Sequence, residues 1–517
     1  MGEDMPVGAT APTQSRSRHG NESEETDIEQ TPSSLPKVDD APPDGGYGWV
    51  CVACCFFINA HTWGINSSYG VFLSYYLNNE YFPNTSALTY AFIGGLSISQ
   101  AMLVAPLATR IIHLFGTRAC LLLGVFFETL SLIGASFCKE KYQIILAQGF
   151  CFGWGMGFLF VGSVGIMAQW FTKKRSLANA IAAAGSGCGG LMYSLVTQRI
   201  IDKNGLPWAF RVLGICVFAV NLTAANLIRD RNKQTGSRHK SFDLSLLRKP
   251  EFLLLQGWSW FSMFGYTILL FSLPAYGRSI GLSAQQSSVL GAVLNAGQMV
   301  GRPFIGLSSD RWGRINLATC LTLLCGILCF ALWIPAETVS SPMGLLCFFA
   351  VVGGATAGVY WATIAPVAAE VLGLQDLPAG LSWTWLLIVP PTTTAEAIAL
   401  ELRRRDTLSW IYLPPQLFTA FMYVGGAVCL WVVRGWKVGD MQWQAKMARE
   451  REQRQQRALL DDEKPPLSAN GTVQGSSPPG GAHDAEDVDE VEMRKFRSRQ
   501  IWRPRNLLRN MTLWTVV

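Results

Sequence analysis

Charge is scarce in this chain. Of its 517 residues only 15% are Asp, Glu, Lys or Arg, against roughly 25% in ordinary soluble proteins, and the deficit is uneven. Residues 1–43 hold 3 basic and 9 acidic side chains, and residues 435–517 hold 14 and 12. The 391 residues from Asp44 to Arg434 keep only 25 basic and 15 acidic ones. A soluble fold must cover its surface with charge along its whole length, so this division excludes one and points to a membrane core with aqueous ends. No basic stripe interleaved with aromatics occurs, which sets nucleic-acid binding aside. No Gly-Lys-Ser/Thr ending closes a glycine-rich stretch, which argues against an ATP-driven pump. No paired nucleophile and base and no His-rich set exists, so no catalytic residues, metal ligands or cofactors are expected. The 13 cysteines lie between Cys51 and Cys429, almost all in apolar stretches, and read as small apolar filler rather than as disulfides. Residues 1–43 contain no apolar run that could serve as a cleavable signal, so the first span must act as its own insertion signal.

What is abundant is long apolar runs. From Gly48 onward, stretches of about 20 residues recur, each long enough to cross roughly 30 Å of hydrocarbon as a helix. Twelve are expected, over 49–76, 87–109, 117–138, 142–168, 176–198, 207–228, 252–276, 284–307, 316–335, 342–368, 380–400 and 410–434. The longest polar interruption, Arg229 to Lys249, divides them six and six. The expected fold is therefore an all-α membrane protein of twelve transmembrane helices in two six-helix bundles. Its parts are a disordered tail (1–43), a first bundle (44–228), a linker (229–250), a second bundle (251–434) and a second tail (435–517). Gly306-Leu-Ser-Ser-Asp310-Arg311-Trp-Gly313-Arg314 after span eight is echoed by Phe115-Gly116-Thr117-Arg118 after span two. Paired halves suit a carrier that rocks around a midplane site.

With both tails cytoplasmic, the inner loops hold fourteen Lys and Arg and the outer loops eight, the asymmetry that orients membrane proteins. Arg403-Arg404-Arg405 runs against it and leaves open that span eleven is misplaced. Asn84-Thr85-Ser86 is a glycosylation sequon on the first outer loop. A plasma-membrane location is expected, with the lipid bilayer and a small-molecule substrate as partners and no accessory subunit legible.

Three motifs resemble a known family. Pro43-Asp44-Gly45-Gly46-Tyr47-Gly48-Trp49 looks like the signature of the monocarboxylate porter branch of the major facilitator superfamily, in its fungal-type form. Trp170-Phe171-Thr172-Lys173-Lys174-Arg175-Ser176-Leu177-Ala178-Asn179-Ala180 is similar to a second motif of that branch, and Gly306 to Arg314 to the general superfamily motif. The resemblance implies two six-helix bundles around a central cavity and secondary transport of a small organic molecule. In animal proton-coupled members a Lys stands at the position of Ser67 and an Asp at that of Gln298. The Arg-Pro pair is kept as Arg302-Pro303. The proton-and-lactate machinery is thus incomplete, and the resemblance points to export or import of larger metabolites.

A cation at mid-membrane must face a wet cavity or a partner. Arg302 is therefore a candidate to bind a substrate carboxylate by paired hydrogen bonds; the alternative is a structural Arg satisfied by helix-end carbonyls or by Asp310. Asn59, Asn66, Asn295 and Gln298 would add neutral hydrogen bonds. Trp258, Trp260, Phe261, Tyr360 and Trp361 would give the cavity aromatic walls suited to flat or amphipathic solutes. At Trp361 the resemblance also implies an aromatic. Glu128, Glu396 and His61 are candidates for proton coupling, against a packed structural role for each. Gly306, Asp310, Arg311 and Arg314, with Lys173, Lys174 and Arg175, are candidates for a gate; the alternative for the basic triplet is topology anchoring. Gly149, Gly153 and Gly157, and Gly185 and Gly189, each share one helix face where helices can touch. Met441 to Leu460 could lie on the inner leaflet as a basic helix or stand solvated. The function expected is secondary active transport by alternating access, of a small organic acid or an amphipathic secondary metabolite leaving the cell. The alternatives are a non-transporting sensor on a carrier fold and a proton-coupled monocarboxylate importer.

Overall fold

A computed structural model of the chain describes residues 42–69, 71, 72, 75, 76, 82, 85, 87–231, 243–404, 409–462, 500–513 and 515. Asn84 and Arg405 lie outside these residues. The first six spans are α1 (Gly48–Ser67), α2 (Ala87–Leu103 continued by Ala105–Phe115), α3 (Thr117–Ala135), α4 (Lys141–Trp170), α5 (Arg175–Asn204) and α6 (Leu206–Leu227). The second six are α7 (Pro250–Ser279), α8 (Ala284–Trp312), α9 (Arg314–Thr338), α10 (342–372), α11 (374–402) and α12 (Leu413–Asp462). A short α13 (Pro504–Thr512) follows.

Eight described stretches are apolar and long enough to span by composition alone, and the pair bent by 41° in α2 makes a ninth. One of the eight, Pro342–Leu402, turns at Gly373 (φ 79°) and supplies two spans. The remaining two, α7 and α8, are more polar because their inward faces carry Gln256, Ser262, Gln298 and Arg302, all buried. All the spans are helices, the form in which backbone groups pair within the segment, as hydrocarbon requires. A belt of exposed Phe92, Phe126, Phe304, Phe348 and Phe421 faces outward, where a soluble protein of this size would not leave it.

The repeated turn noted in the sequence has one physical basis. Gly116 (φ 85°) joins α2 to α3 and Gly313 (φ 97°) joins α8 to α9. A single residue reverses the chain at each, in a conformation open to glycine. The glycine faces pack as their spacing predicts. A Cβ on Gly185 or Gly189 would fall 2.0 or 2.1 Å from the carbonyl oxygen of Phe56 or Ala60 on α1. Gly149, Gly153 and Gly157 press α4 against Leu96, Ser97 and Ala101 of α2.

Two regions take a more definite form than the sequence gives them. Met441 to Leu460 continues α12 as helix rather than forming a separate element, because Gln, Arg, Ala and Glu are strong helix formers with no proline among them. Arg403 and Arg404 belong to the loop after α11 and do not displace the span: Arg403 donates to the Tyr412 hydroxyl at 3.2 Å and the Arg404 amide to Ile411 O at 3.1 Å.

Candidate functional site

The halves meet along α5 and α8, α5 and α10, and α2 and α11. Gly187 of α5 lies against Met299 and Asn295 of α8, and Ser99 of α2 is 2.6 Å from the Thr393 hydroxyl of α11. The Asn179 amide of α5 donates to Ala362 O of α10 at 2.7 Å. Close to this contact sits Trp361, within an aromatic group drawn from both halves. Its ring centroid is 5.3 Å from Trp63 (α1), 6.1 Å from Phe160 (α4), 6.2 Å from Tyr266 (α7) and 6.1 Å from Trp385 (α11), the last stacked at 10°. The indole N–H groups of Trp63 and Trp385 are buried without an acceptor among the described residues.

Arg302 joins this group to α5. It is 4% exposed. One guanidinium nitrogen donates to Ala183 O at 2.7 Å and to Ser186 Oγ at 2.5 Å, both on α5. The other donates to Gln298 Oε1 at 2.8 Å, an oxygen that also accepts from the Tyr266 hydroxyl at 2.9 Å. Its Nε is buried without an acceptor, and no carboxylate lies within ion-pair distance among the described residues. A buried guanidinium with neutral acceptors only is under-compensated. Asn295 belongs to the same cluster through Gln298 Nε2, 3.5 Å away. Asn59 does not share these bonds: its amide donates within α1, to Cys55 O at 2.9 Å. Asn66 bonds Ser97 Oγ at 2.6 Å, and Ser67 is exposed with its hydroxyl donating to Trp63 O. Trp258 and Tyr360 are packed inside the second half, the Trp258 indole donating to Thr322 Oγ1 at 3.2 Å. The Trp260 indole donates to Leu387 O.

The three coupling candidates lie in three separate settings. Glu128 is completely buried, accepts from Asn221 of α6 at 2.9 Å and packs on Gly155 of α4. Glu396 is partly exposed and accepts from the Ser272 hydroxyl of α7 at 3.0 and 3.2 Å. His61 is bonded through Nδ1 to Phe57 O at 2.9 Å, with its ring edge-on to Tyr193.

At the face from which both tails leave, the second half grips the start of α5. Gly306 allows the approach, since a Cβ there would fall 2.5 Å from Ala180 Cβ. Asp310 accepts from the Ser176 and Leu177 amides at 3.0 and 2.9 Å, a carboxylate on a helix N-terminus, where the backbone dipoles favour negative charge. Arg314 bonds Ser176 Oγ at 3.2 Å, Glu370 of α10 and Thr172 O of the first half. Arg311 is exposed. Asp44, at φ 51°, accepts from the Thr172 and Lys173 amides at 2.7 Å, with Gly45 and Gly46 (φ 59°) turning the chain into α1. Gly48 then fits against Phe171, on which Trp49 stacks edge-on. The Lys173 and Lys174 side chains are exposed, and Arg175 is buried on Phe171 O at 3.0 Å. Sequence reasoning missed Asn179, Tyr266, Trp63, Phe160, Trp385 and Glu370 as members of these clusters. Only Asn179 carried a signal, its place in the second motif.

Comparison with known proteins agrees with this architecture. Residues 52–390 match the Major Facilitator Superfamily. The probable transporter MCH2 of Saccharomyces cerevisiae is 36% identical over 400 residues, 76% of this chain and 83% of that protein. The fujikurins efflux protein of Gibberella fujikuroi is 28% identical over 414 residues, 78% and 87% of the two chains. Among solved structures, the proton:xylose symporter XylE superposes with a TM-score of 0.58 at 13% identity, covering 74% of this chain and 95% of that one. FucP in its outward conformation gives 0.58 at 15% identity over 74% and 99%. The chain belongs to the Major Facilitator Superfamily and is a multi-pass membrane protein that works as a secondary transporter of small molecules, not as an enzyme.

Proposed function

We propose that this carrier exports a small organic acid or amphipathic metabolite across the plasma membrane, as a fungal-type member of the monocarboxylate porter branch, with both tails cytoplasmic. The observation that carries the reading is Arg302, a buried cation at the junction of the halves whose partners are all neutral. A substrate carboxylate, taking donors from two guanidinium nitrogens, would compete with Ala183 O and Ser186 Oγ for the one they share. Binding would then loosen the grip of α8 on α5 while the aromatic group around Trp361 receives the apolar part of the substrate. Gln298 and Asn295 orient the guanidinium; Asn59 supports α1. Export rather than import rests on the efflux protein among the relatives.

In this reading residues 44–228 and 251–434 are the two bodies that rock, 229–250 links them, and 1–43 and 435–517 are the tails. Gly306, Asp310 and Arg314 form the cytoplasmic gate, with Arg175 and the Asp44 turn bracing the segment they grip. Lys173, Lys174 and Arg311 face the anionic leaflet. Among the coupling candidates, Glu396 is partly exposed and bridges α7 and α11, whereas Glu128 is enclosed in the first half and His61 is bonded to its own helix. Glu396→Gln should therefore abolish stimulation of flux by a pH gradient, and an unchanged gradient response overturns that role.

The principal test is flux of labelled aromatic and aliphatic carboxylates in reconstituted vesicles. Arg302→Ala should lower flux at least about a hundredfold with the protein still folded in the membrane, the loss expected when a charge-assisted pair is removed. Normal flux through Arg302→Ala would overturn the assignment.

A further inference from the structure

The polar C-terminal segment returns to the membrane domain. Helix α12 is 50 residues long, and the part beyond Arg434 extends roughly 40 Å past the apolar stretch. The chain then comes back so that α13 docks beside the start of that extension. Leu507 and Met511 lie on Gly435, and Ile501 and Asn510 on Gly439. Arg434, 7% exposed, closes the contact: it donates to Asn316 Oδ1 at 2.5 Å, to Met511 O at 3.1 Å and to Leu513 O at 2.5 Å. The Trp431 indole also donates to Met511 O, and the Asn316 amide to Thr515 O at 2.8 Å. The docking therefore occurs at the junction of α9 and α12 with their aqueous ends, and the end of α13 reaches the level of Trp431, a half-exposed aromatic one turn inside Arg434.

Among the described residues, none covers the opposite face of α13. Arg505, Leu508, Arg509 and Thr512 recur at helical spacing and all are exposed, flanked by exposed Arg503 and Leu513. Leu508 is 63% exposed. Leucines among arginines at the end of transmembrane spans match a bilayer interface, in which apolar side chains enter the acyl boundary and guanidinium groups meet anionic headgroups.

We propose that α13 is a membrane-interface anchor whose exposed face binds the anionic leaflet, so that the C-terminal segment clasps α9 and α12 on one side and lipid on the other. The proposal does not depend on the identity of the transported solute.

The test uses the full chain with Leu508→Cys in a Cys216→Ser, Cys320→Ser background, labelled with an environment-sensitive fluorophore and placed in nanodiscs with brominated acyl chains. In discs containing one third phosphatidylserine the label should be quenched at least about threefold more than in pure phosphatidylcholine. Adding R503Q, R505Q and R509Q together should remove most of that difference, while the melting temperature stays within a few degrees because the docked face is untouched. Equal quenching in both lipids, or full quenching with the triple variant, overturns the proposal. A fluorescence shift produced in detergent by millimolar inorganic phosphate alone would assign the arginines to a free anion and overturn it. So would a label unquenched in lipid discs but shielded in native membranes, which would indicate a protein partner.

Discussion

At their shared surface the second six helices contribute charged side chains and the first six contribute mainly backbone. Arg302, Asp310 and Arg314 of the second half bind Ala183 O, the Ser176 and Leu177 amides and Thr172 O of the first. The first-half side chains that take part are neutral: Ser99, Ser176 and Ser186 through their hydroxyls and Asn179 on a second-half carbonyl. Close glycine packing beneath is common to both halves, with Gly297 and Gly354 bringing α8 and α10 together in the second. In the first half, glycines bring α5 onto the backbone of α1 and α4 onto α2. Backbone groups are fixed by the helix that carries them, whereas a long charged side chain can release its partner by changing rotamer. The first half thus behaves as a template, and the contacts that must break for the halves to separate are carried on the second.

Substitution at Gly185 tests the template. Gly185→Leu places a side chain on the Phe56 carbonyl and should destabilise the first half by about 3 kcal/mol or more, seen as at least a tenfold fall in monodisperse protein recovered from membranes. Wild-type recovery would show that α1 and α5 can spread apart. Truncation after residue 499 addresses a charge of the second half that serves its own half. Without the C-terminal segment Arg434 loses two carbonyl acceptors, and stability should fall by about 2–3 kcal/mol, read as a lower melting temperature in detergent. Asp310→Asn keeps the shape but removes the charge from the α5 N-terminus. It should shift the conformational balance towards separation of the tail-side ends by about 1–2 kcal/mol. Faster labelling of a cysteine introduced at Asn316 is not the readout, since that residue lies within one half; labelling at Leu177→Cys, beneath the Asp310 contact, is. The smallest effect belongs to Lys173→Ala with Lys174→Ala. Both side chains are exposed and only backbone amides meet Asp44, so stability should change by less than about 0.5 kcal/mol, whereas Asp44→Ala should loosen the turn measurably.

Much of the architecture was legible because its causes are local. Apolar length defines the spans from α1 to α12, and the left-handed glycines at 116 and 313 mark equivalent turns in the two halves. Span seven and span eight show where composition alone weakens: their inward polar residues lower their apolar character, yet Arg302 and Gln298 could be singled out for that very reason. The aromatic group was only partly legible. Trp63, Phe160, Tyr266 and Trp385 lie on four helices far apart in the chain, and nothing in one helix's spacing tells which aromatic turns towards Trp361 and which, like Trp258, packs within its own half.

The sequence by itself determined a charge-poor core of paired six-helix sets, polar ends, glycine faces and the few embedded charges, since each follows from hydrophobic length and local backbone geometry. Tertiary structure decided the partners of those charges. It placed Arg302 on neutral acceptors of α5, enclosed Glu128, set Asp310 on a helix start more than 130 residues away in the chain, and brought the final helix back onto Arg434. Such contacts depend on how helices cross and rotate against one another, and long-range packing fixes that geometry after each helix has formed.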